Sequence, residues 1–136
     1  RFAIAFADGK VTSTGAAAQS LSTVDPLNAI FGVGYRDPDG AFGGEVIVSY
    51  NARKEANEAI GVCTGMCFRP QESAIIDATA FFRITDNVKI RAGIFNITDK
   101  KYALWSNVRG LAATSTITDA FTQPGRNASV SLSASF

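Results

Sequence analysis

The chain has 136 residues, 46% of them hydrophobic, with ten phenylalanines and twelve glycines, and its 13 Lys and Arg nearly balance 12 Asp and Glu for a formal charge of +1. That balance supplies no concentrated basic patch of the kind nucleic acid requires, and the lack of histidine removes the commonest general base at neutral pH and the usual imidazole metal ligand. No continuous apolar stretch approaches the roughly 18 to 20 residues of a membrane helix, which leaves a soluble β domain or a membrane β-barrel.

Residues 2–7 alternate large and small side chains with period two, Phe2, Ile4 and Phe6 on one face and alanines on the other. The pattern starts directly at the N-terminus with no signal peptide, as expected of a mature membrane protein or a piece of one. A long link, 9–26, leads to a strand over 28–35, with Ala29, Phe31, Val33 and Tyr35 opposed to Asn28, Ile30, Gly32 and Gly34. Asp37-Pro38-Asp39-Gly40 is a tight hairpin turn, because Pro fixes φ and Gly accepts positive φ. The strand over 42–51 sets Phe42, Val46, Val48 and Tyr50 against Gly43, Glu45, Ser49 and Asn51.

A second long link, 53–72, carries both cysteines in Cys63-Thr64-Gly65-Met66-Cys67. The expectation is a small disulfide pinning a loop in an oxidising compartment; the alternatives are a free pair and a metal pair, the latter an incomplete zinc site without further Cys or His. Strands over 73–83 and 88–96 follow, joined by Thr85-Asp86-Asn87. The third link, 98–125, precedes the cleanest strand, 128–136, where Ala128, Val130, Leu132, Ala134 and Phe136 alternate with four serines. A serine face and an apolar face cannot both lie in oil, so one faces lipid or a core and the other a wet lumen or solvent.

Short turns alternating with long links are the asymmetry of a bacterial barrel, with periplasmic turns and extracellular loops. The expected fold is therefore all-β: an antiparallel transmembrane barrel segment of about six strands, with Tyr35 and Tyr50 placed for an aromatic girdle. Six strands alone would leave two edges unpaired, at several kcal/mol per backbone group in lipid. Residues before Arg1, or another chain, are expected to complete the wall, the last strand closing against the first strand of the full barrel.

Glu45, Asp77, Arg83, Lys89 and Arg91 all fall on the polar strand face. They either line the lumen, where they would brace an internal domain or meet a passing solute, or are simply solvated there. Asp77 is expected to pair with Lys89 and Arg91 across strands. Asn96-Ile97-Thr98 fits the glycosylation acceptor pattern, which has no use in a bacterial membrane protein. Asp99 is expected to cap the backbone where its strand ends, with Lys100 and Lys101 at headgroup level. Tyr102 and Trp105 are placed to anchor the rim or to touch an external ligand.

The stretch Ala92-Gly93-Ile94-Phe95-Asn96-Ile97-Thr98-Asp99-Lys100-Lys101-Tyr102, followed by Trp105-Ser106-Asn107-Val108-Arg109-Gly110-Leu111, resembles the C-terminal region of TonB-dependent outer-membrane receptors, and among them those for haem and haemoglobin. Ile97 stands where that family usually has Leu, and Asn107 where it has Asp. Phe121-Thr122-Gln123-Pro124-Gly125-Arg126-Asn127 and the alternating run to Phe136 fit the same pattern, as do Ser22-Thr23-Val24-Asp25-Pro26 and Gly32-Val33-Gly34-Tyr35.

The resemblance implies a barrel of about 22 strands around an N-terminal plug, of which residues 1–136 would be the C-terminal part, without plug. It further implies location in the bacterial outer membrane among its lipids, coupling to the TonB complex through an N-terminal part, and Phe136 as a terminal signal for barrel assembly. The implied function is uptake of haem, taken from haemoglobin or a haem carrier, with haem as cargo and no cofactor held by this segment. Tyr102, Trp105 and Arg109 are then the residues expected to face an external ligand, with Tyr102 a candidate oxygen ligand. Rival readings are a siderophore-iron receptor of the same architecture, a passive porin, and a structural or adhesive barrel. An enzyme is not expected, since no nucleophile and base pair assembles without histidine.

Overall fold

The computed structural model describes every residue except 1, 8, 13–18, 56–62, 64 and 136; Phe136 and its assembly role therefore lie outside the described residues. Among the described residues eight strands form: β1 Phe2–Ala5, β2 Lys10–Val11, β3 Gln19–Ser20, β4 Asn28–Arg36, β5 Phe42–Asn51, β6 Ser73–Thr85, β7 Val88–Phe95 and β8 Asn127–Ala134. Six of them make one sheet in the order β1-β4-β5-β6-β7-β8, each pair antiparallel. Within the first long link, β2 and β3 make a separate small hairpin.

The register turns the period-two patterns into two continuous faces. Val33 lies opposite Val46, Val46 opposite Ala78, Ala78 opposite Ile94 and Ile94 opposite Ala128. The next rungs carry Tyr35, Gly44, Ala80, Ala92 and Val130, then Phe42, Phe82, Ile90 and Leu132. This face is apolar throughout, yet Val33, Val130 and Leu132 are each more than 60% exposed. The opposite face carries Arg36, Glu45, Asp77, Thr79, Arg83, Lys89, Arg91 and the serines of β8. That second face also holds Ile30, Ile47, Ile75, Phe81 and Phe95, but one face apolar on every strand and the other carrying the strands' charges is the pattern of a wall that meets lipid on one side and water on the other.

A soluble sheet would have to cover that apolar face. Among the described residues the buried apolar side chains are instead Cys67, Ile75, Trp105 and Val108, and three of these lie beyond the strands. The core of this segment is thus a loop core at one end of the wall. At the other end sit the two short connections. In the first, the Gly40 N–H donates to the Asp37 carbonyl at 2.8 Å with Gly40 at φ 67°. In the second, the Asn87 N–H donates to the Thr85 hydroxyl at 3.3 Å.

Several boundaries differ from the expected ones for a pairing reason. β1 stops at Ala5 because its partner β4 begins at Asn28, opposite Ala5, leaving residues 6 and 7 no ladder to join. β6 continues through Thr85, so the turn to β7 holds only Asp86 and Asn87. The third link is also structured, with α1 over Trp105–Val108 and a 3-10 turn over Thr118–Phe121.

Candidate functional site

Two places on the wall gather polar and aromatic groups: the layer of long links at one end, and the polar face near the short turns. In the loop layer, Cys63 and Cys67 are joined by a disulfide with their Cα atoms 5.7 Å apart. Cys67 then makes a β-bridge to Ala112, the Phe68 N–H donates to the Leu111 carbonyl at 2.9 Å, and the Ala113 N–H donates to the Met66 carbonyl at 2.8 Å. The small ring thereby stitches the second link to the third.

Trp105 is the point where all three long links meet. It is 3% exposed and packs with Cys67 and Val108, with Cys63, Phe68, Ala103 and Leu111 around them. Its indole N–H donates to the Ser22 carbonyl of the first link at 2.7 Å. Lys54 of the second link sets its ammonium 5.8 Å from the indole centroid and donates to the Val24 carbonyl at 2.6 Å. A cation as buried as Lys54 needs such partners, because an uncompensated buried charge is strongly unfavourable. Trp105 is thus buried among the described parts of the three links, where the indole gains by burial and by its N–H bond, rather than presented at the surface. Arg109 is exposed directly after α1.

The base of the third link is closed by Asn96, a residue whose place in a tripeptide pattern gave little hint of this. Asn96 is 3% exposed and sits at φ 51°, a left-handed geometry that Asn tolerates better than most residues. Its side-chain NH2 donates to the Lys100 carbonyl at 2.9 Å and the Pro124 carbonyl at 3.1 Å, and its side-chain oxygen accepts from the Lys100 N–H at 2.9 Å. The Asn96 N–H itself donates to the Asp77 carboxylate at 2.8 Å. Asp99, at φ 53°, accepts from the Arg126 N–H at 2.7 Å, so it caps the entry to β8. Both ends of a link of nearly thirty residues are held together by two side chains.

Replacing Asn96 by Ala should strip three of these part-buried bonds and release the Lys100 and Pro124 backbone groups they hold, at about 1 to 3 kcal/mol. Limited proteolysis of the full-length protein would report it as faster cleavage within residues 98–125, with the barrel fragment itself intact.

Tyr102 is half-buried just beyond this lock, and its backbone carbonyl accepts from the Gln123 N–H at 2.8 Å. Burial, and then the nearby Asp77 carboxylate, push its phenol above the usual tyrosine range. The protonated form is favoured at neutral pH, which works against a phenolate role in metal binding. Lys101 pairs with Asp119 at 2.8 Å, both side chains well exposed.

On the polar face, the expected pairing of Asp77 with Lys89 and Arg91 does not form. Arg91 lies opposite Phe81 and Lys89 opposite Arg83, while Asp77 is four residues back along β6, roughly 13 Å away. Asp77 serves the Asn96 lock instead. Around Phe81 gather Arg36, Arg83, Lys89 and Arg91, which line a hollow of about 220 Å³. Glu45 sits one rung away, opposite Gly34 and Thr79, beside a larger concavity of about 610 Å³. On the apolar face Tyr35 and Phe42 stack near the turns with ring centroids 5.9 Å apart, and Tyr50 at the loop end donates from its hydroxyl to Glu72 at 3.1 Å.

No family model matches the chain. Among curated proteins it is 26% identical over 133 residues to transferrin-binding protein A of Neisseria gonorrhoeae, covering 85% of this chain and 14% of that protein. It is 25% identical over 134 residues to hemoglobin-binding protein A of Haemophilus influenzae, covering 85% of this chain and 13% of that protein. Among solved structures it resembles the copper transporter OprC with a TM-score of 0.66 and 24% identity, over 87% of this chain and 18% of that one. The chain thus spans about one seventh of the length of the curated relatives it matches, and the OprC likeness speaks for the fold.

Proposed function

We propose that the chain is a wall region of a barrel of the TonB-dependent outer-membrane receptor kind, and that the receptor it serves takes up haem, with haemoglobin as a source. The observation that carries this reading is the loop layer. The described parts of the three long links are tied together through Trp105, the Cys63–Cys67 disulfide and the Asn96 lock. A preorganised surface of that kind suits a protein-sized partner, since little ordering entropy remains to be lost on docking. Relatives named for haemoglobin binding support the choice of partner.

Within that function the segment supplies wall and docking surface, and haem is cargo. The chain has no histidine to offer haem iron, and the raised phenol of Tyr102 makes it a poor substitute. Iron ligation belongs to other parts of the receptor, as do the plug and the coupling to a TonB complex. Arg109, exposed after α1, is accessible to an external ligand in this reading.

A second reading has support at similar sequence identity: docking of transferrin, from the relatives named for it. The test is a visible-spectrum haem titration of the complete detergent-purified receptor, run beside capture of haemoglobin and of transferrin. A saturable shift of the haem band with haemoglobin capture is the expected result. Transferrin capture without a haem shift would replace haem by protein-bound iron. Tight binding of an iron-siderophore alone would move the receptor to the siderophore class.

A further inference from the structure

We propose that a hollow in the loop layer, between the second and third links, is a haem subsite that holds the porphyrin by its propionates and leaves the iron unligated. The inference rests on the haem reading above and adds the place where this segment touches the cargo. The hollow measures about 340 Å³ and is lined by Phe68, Arg69 and Pro70 from the second link and by Lys100, Lys101 and Tyr102 from the third.

Both walls are set before a ligand arrives. The Asn96 side chain holds the Lys100 N–H and the Lys100 carbonyl, each at 2.9 Å, so the backbone that carries this ammonium is fixed. The Phe68 N–H donates to the Leu111 carbonyl across the links, and its side chain packs against the cluster of Trp105 and Cys67. The Tyr102 carbonyl is held by the Gln123 N–H at 2.8 Å. A site fixed in this way loses little ordering entropy when it is filled.

Charge sorts the occupant. The three cations share the hollow with two acids, Glu72 and Asp119, a surplus of one positive charge. Both acids are already engaged: Asp119 pairs with Lys101 at 2.8 Å, and Glu72 accepts the Tyr50 hydroxyl at 3.1 Å. Among the described residues no carboxylate pairs with Arg69 or Lys100. Two uncommitted cations on facing links suit a ligand with two carboxylates, each held by a charge-assisted hydrogen bond. Tyr102 keeps its proton at neutral pH, since burial and then Asp77 raise its phenol, and adds a neutral donor to the same wall.

The remaining lining is apolar, from Phe68, Pro70 and the ring of Tyr102. An inorganic anion gains nothing from it, whereas a flat apolar body with two carboxylates on one edge uses both parts of the hollow. Haem is such a body. The chain has no histidine and the phenol stays protonated, so the iron meets no ligand here, and haem remains free to pass to ligands elsewhere in the receptor.

The test titrates the complete detergent-purified receptor with iron-free protoporphyrin IX, followed by its fluorescence, beside haem followed by its visible band. Protoporphyrin IX is expected to bind saturably, and Arg69→Glu combined with Lys100→Glu should weaken that binding about tenfold. The haem band, set by iron ligands elsewhere, should still shift at saturation in that variant. Limited proteolysis within residues 98–125 confirms that its loop layer is intact. The dimethyl ester of the same porphyrin should bind the unsubstituted receptor about tenfold more weakly than the free acid, a comparison that needs no variant to fold. Equal binding of acid and ester, or protoporphyrin binding unchanged by the charge reversal, would overturn the proposal. A haem shift without protoporphyrin binding overturns it and leaves the uptake reading standing, whereas the absence of both in the unsubstituted receptor overturns the two together.

Discussion

Val130→Arg, in the complete receptor refolded into lipid vesicles, should lose about 2 to 4 kcal/mol of folding free energy, while Ser129→Arg one residue away should lose less than about 1 kcal/mol. The two positions share β8 and its backbone environment. They differ in face: Val130 lies on the rung of Ala80 and Ala92, whereas Ser129 lies opposite Gly93 on the polar side. At Val130 the guanidinium would enter hydrocarbon, where neither water nor a counter-charge is at hand. At Ser129 it would enter a water-filled interior.

The pair also separates a membrane wall from a soluble sheet. Val130 is 71% exposed. An arginine at such a position in water would change stability by only about half a kcal/mol either way. Denaturant titration of the two variants in vesicles therefore reads the solvent of each face directly. Equal, small losses at both positions would refute the lipid assignment of the apolar face.

Trp105→Ala should disrupt the loop layer by about 3 to 5 kcal/mol, the cost of removing a large buried aromatic together with its hydrogen bond. The cavity would open between all three long links, since the indole touches Cys67 and Val108, bonds to Ser22 and underlies Lys54. Lys54 would be left as a buried cation without its aromatic partner. Limited proteolysis should then cut the second and third links together, because they are stitched through Cys67–Ala112. The strands do not depend on the indole, so heat-modifiable mobility of the barrel should be unchanged. If Trp105 were a surface contact for a ligand, the substitution would weaken binding and leave protease resistance as it was.

Much of the wall was legible in the sequence because a strand has a strict period of two. A helix, with its period of 3.6, does not sustain that alternation, and the run from Ala128 to Ser135 separated an apolar face, for lipid or a core, from a polar one, for lumen or solvent. The same simplicity explains the turns, where Pro38 fixes φ and Gly40 accepts the positive φ of a tight reversal. The strand ends were less clear, since they depend on where a partner stops: Ala5 ends β1 because Asn28 begins β4.

The links were not legible in this way. Trp105 looked like a rim anchor, since an isolated Tyr or Trp after a membrane strand usually is one. Its burial depends on Ser22 and Lys54, 83 and 51 positions away, which no local pattern connects to it. Asn96 was similarly hidden. Its value lies in reaching Pro124 across the closed base of a link, and only a chain already folded back brings that carbonyl near. Asp77 read as a partner for Lys89 and Arg91 because all three share a face, but the register separates them along the strand.

The sequence by itself determined the six-strand antiparallel sheet and its apolar and polar faces, because alternation and turn chemistry are local properties of the chain; the Cys63–Cys67 disulfide it offered beside a free pair and a metal pair, and the structure decided among them. Tertiary structure alone decided which links meet at Trp105, that Asn96 and Asp99 close the third link, and that four cations converge on Phe81. Those outcomes follow from register and loop closure, which bring together residues that are distant in sequence and therefore leave no periodic trace in it.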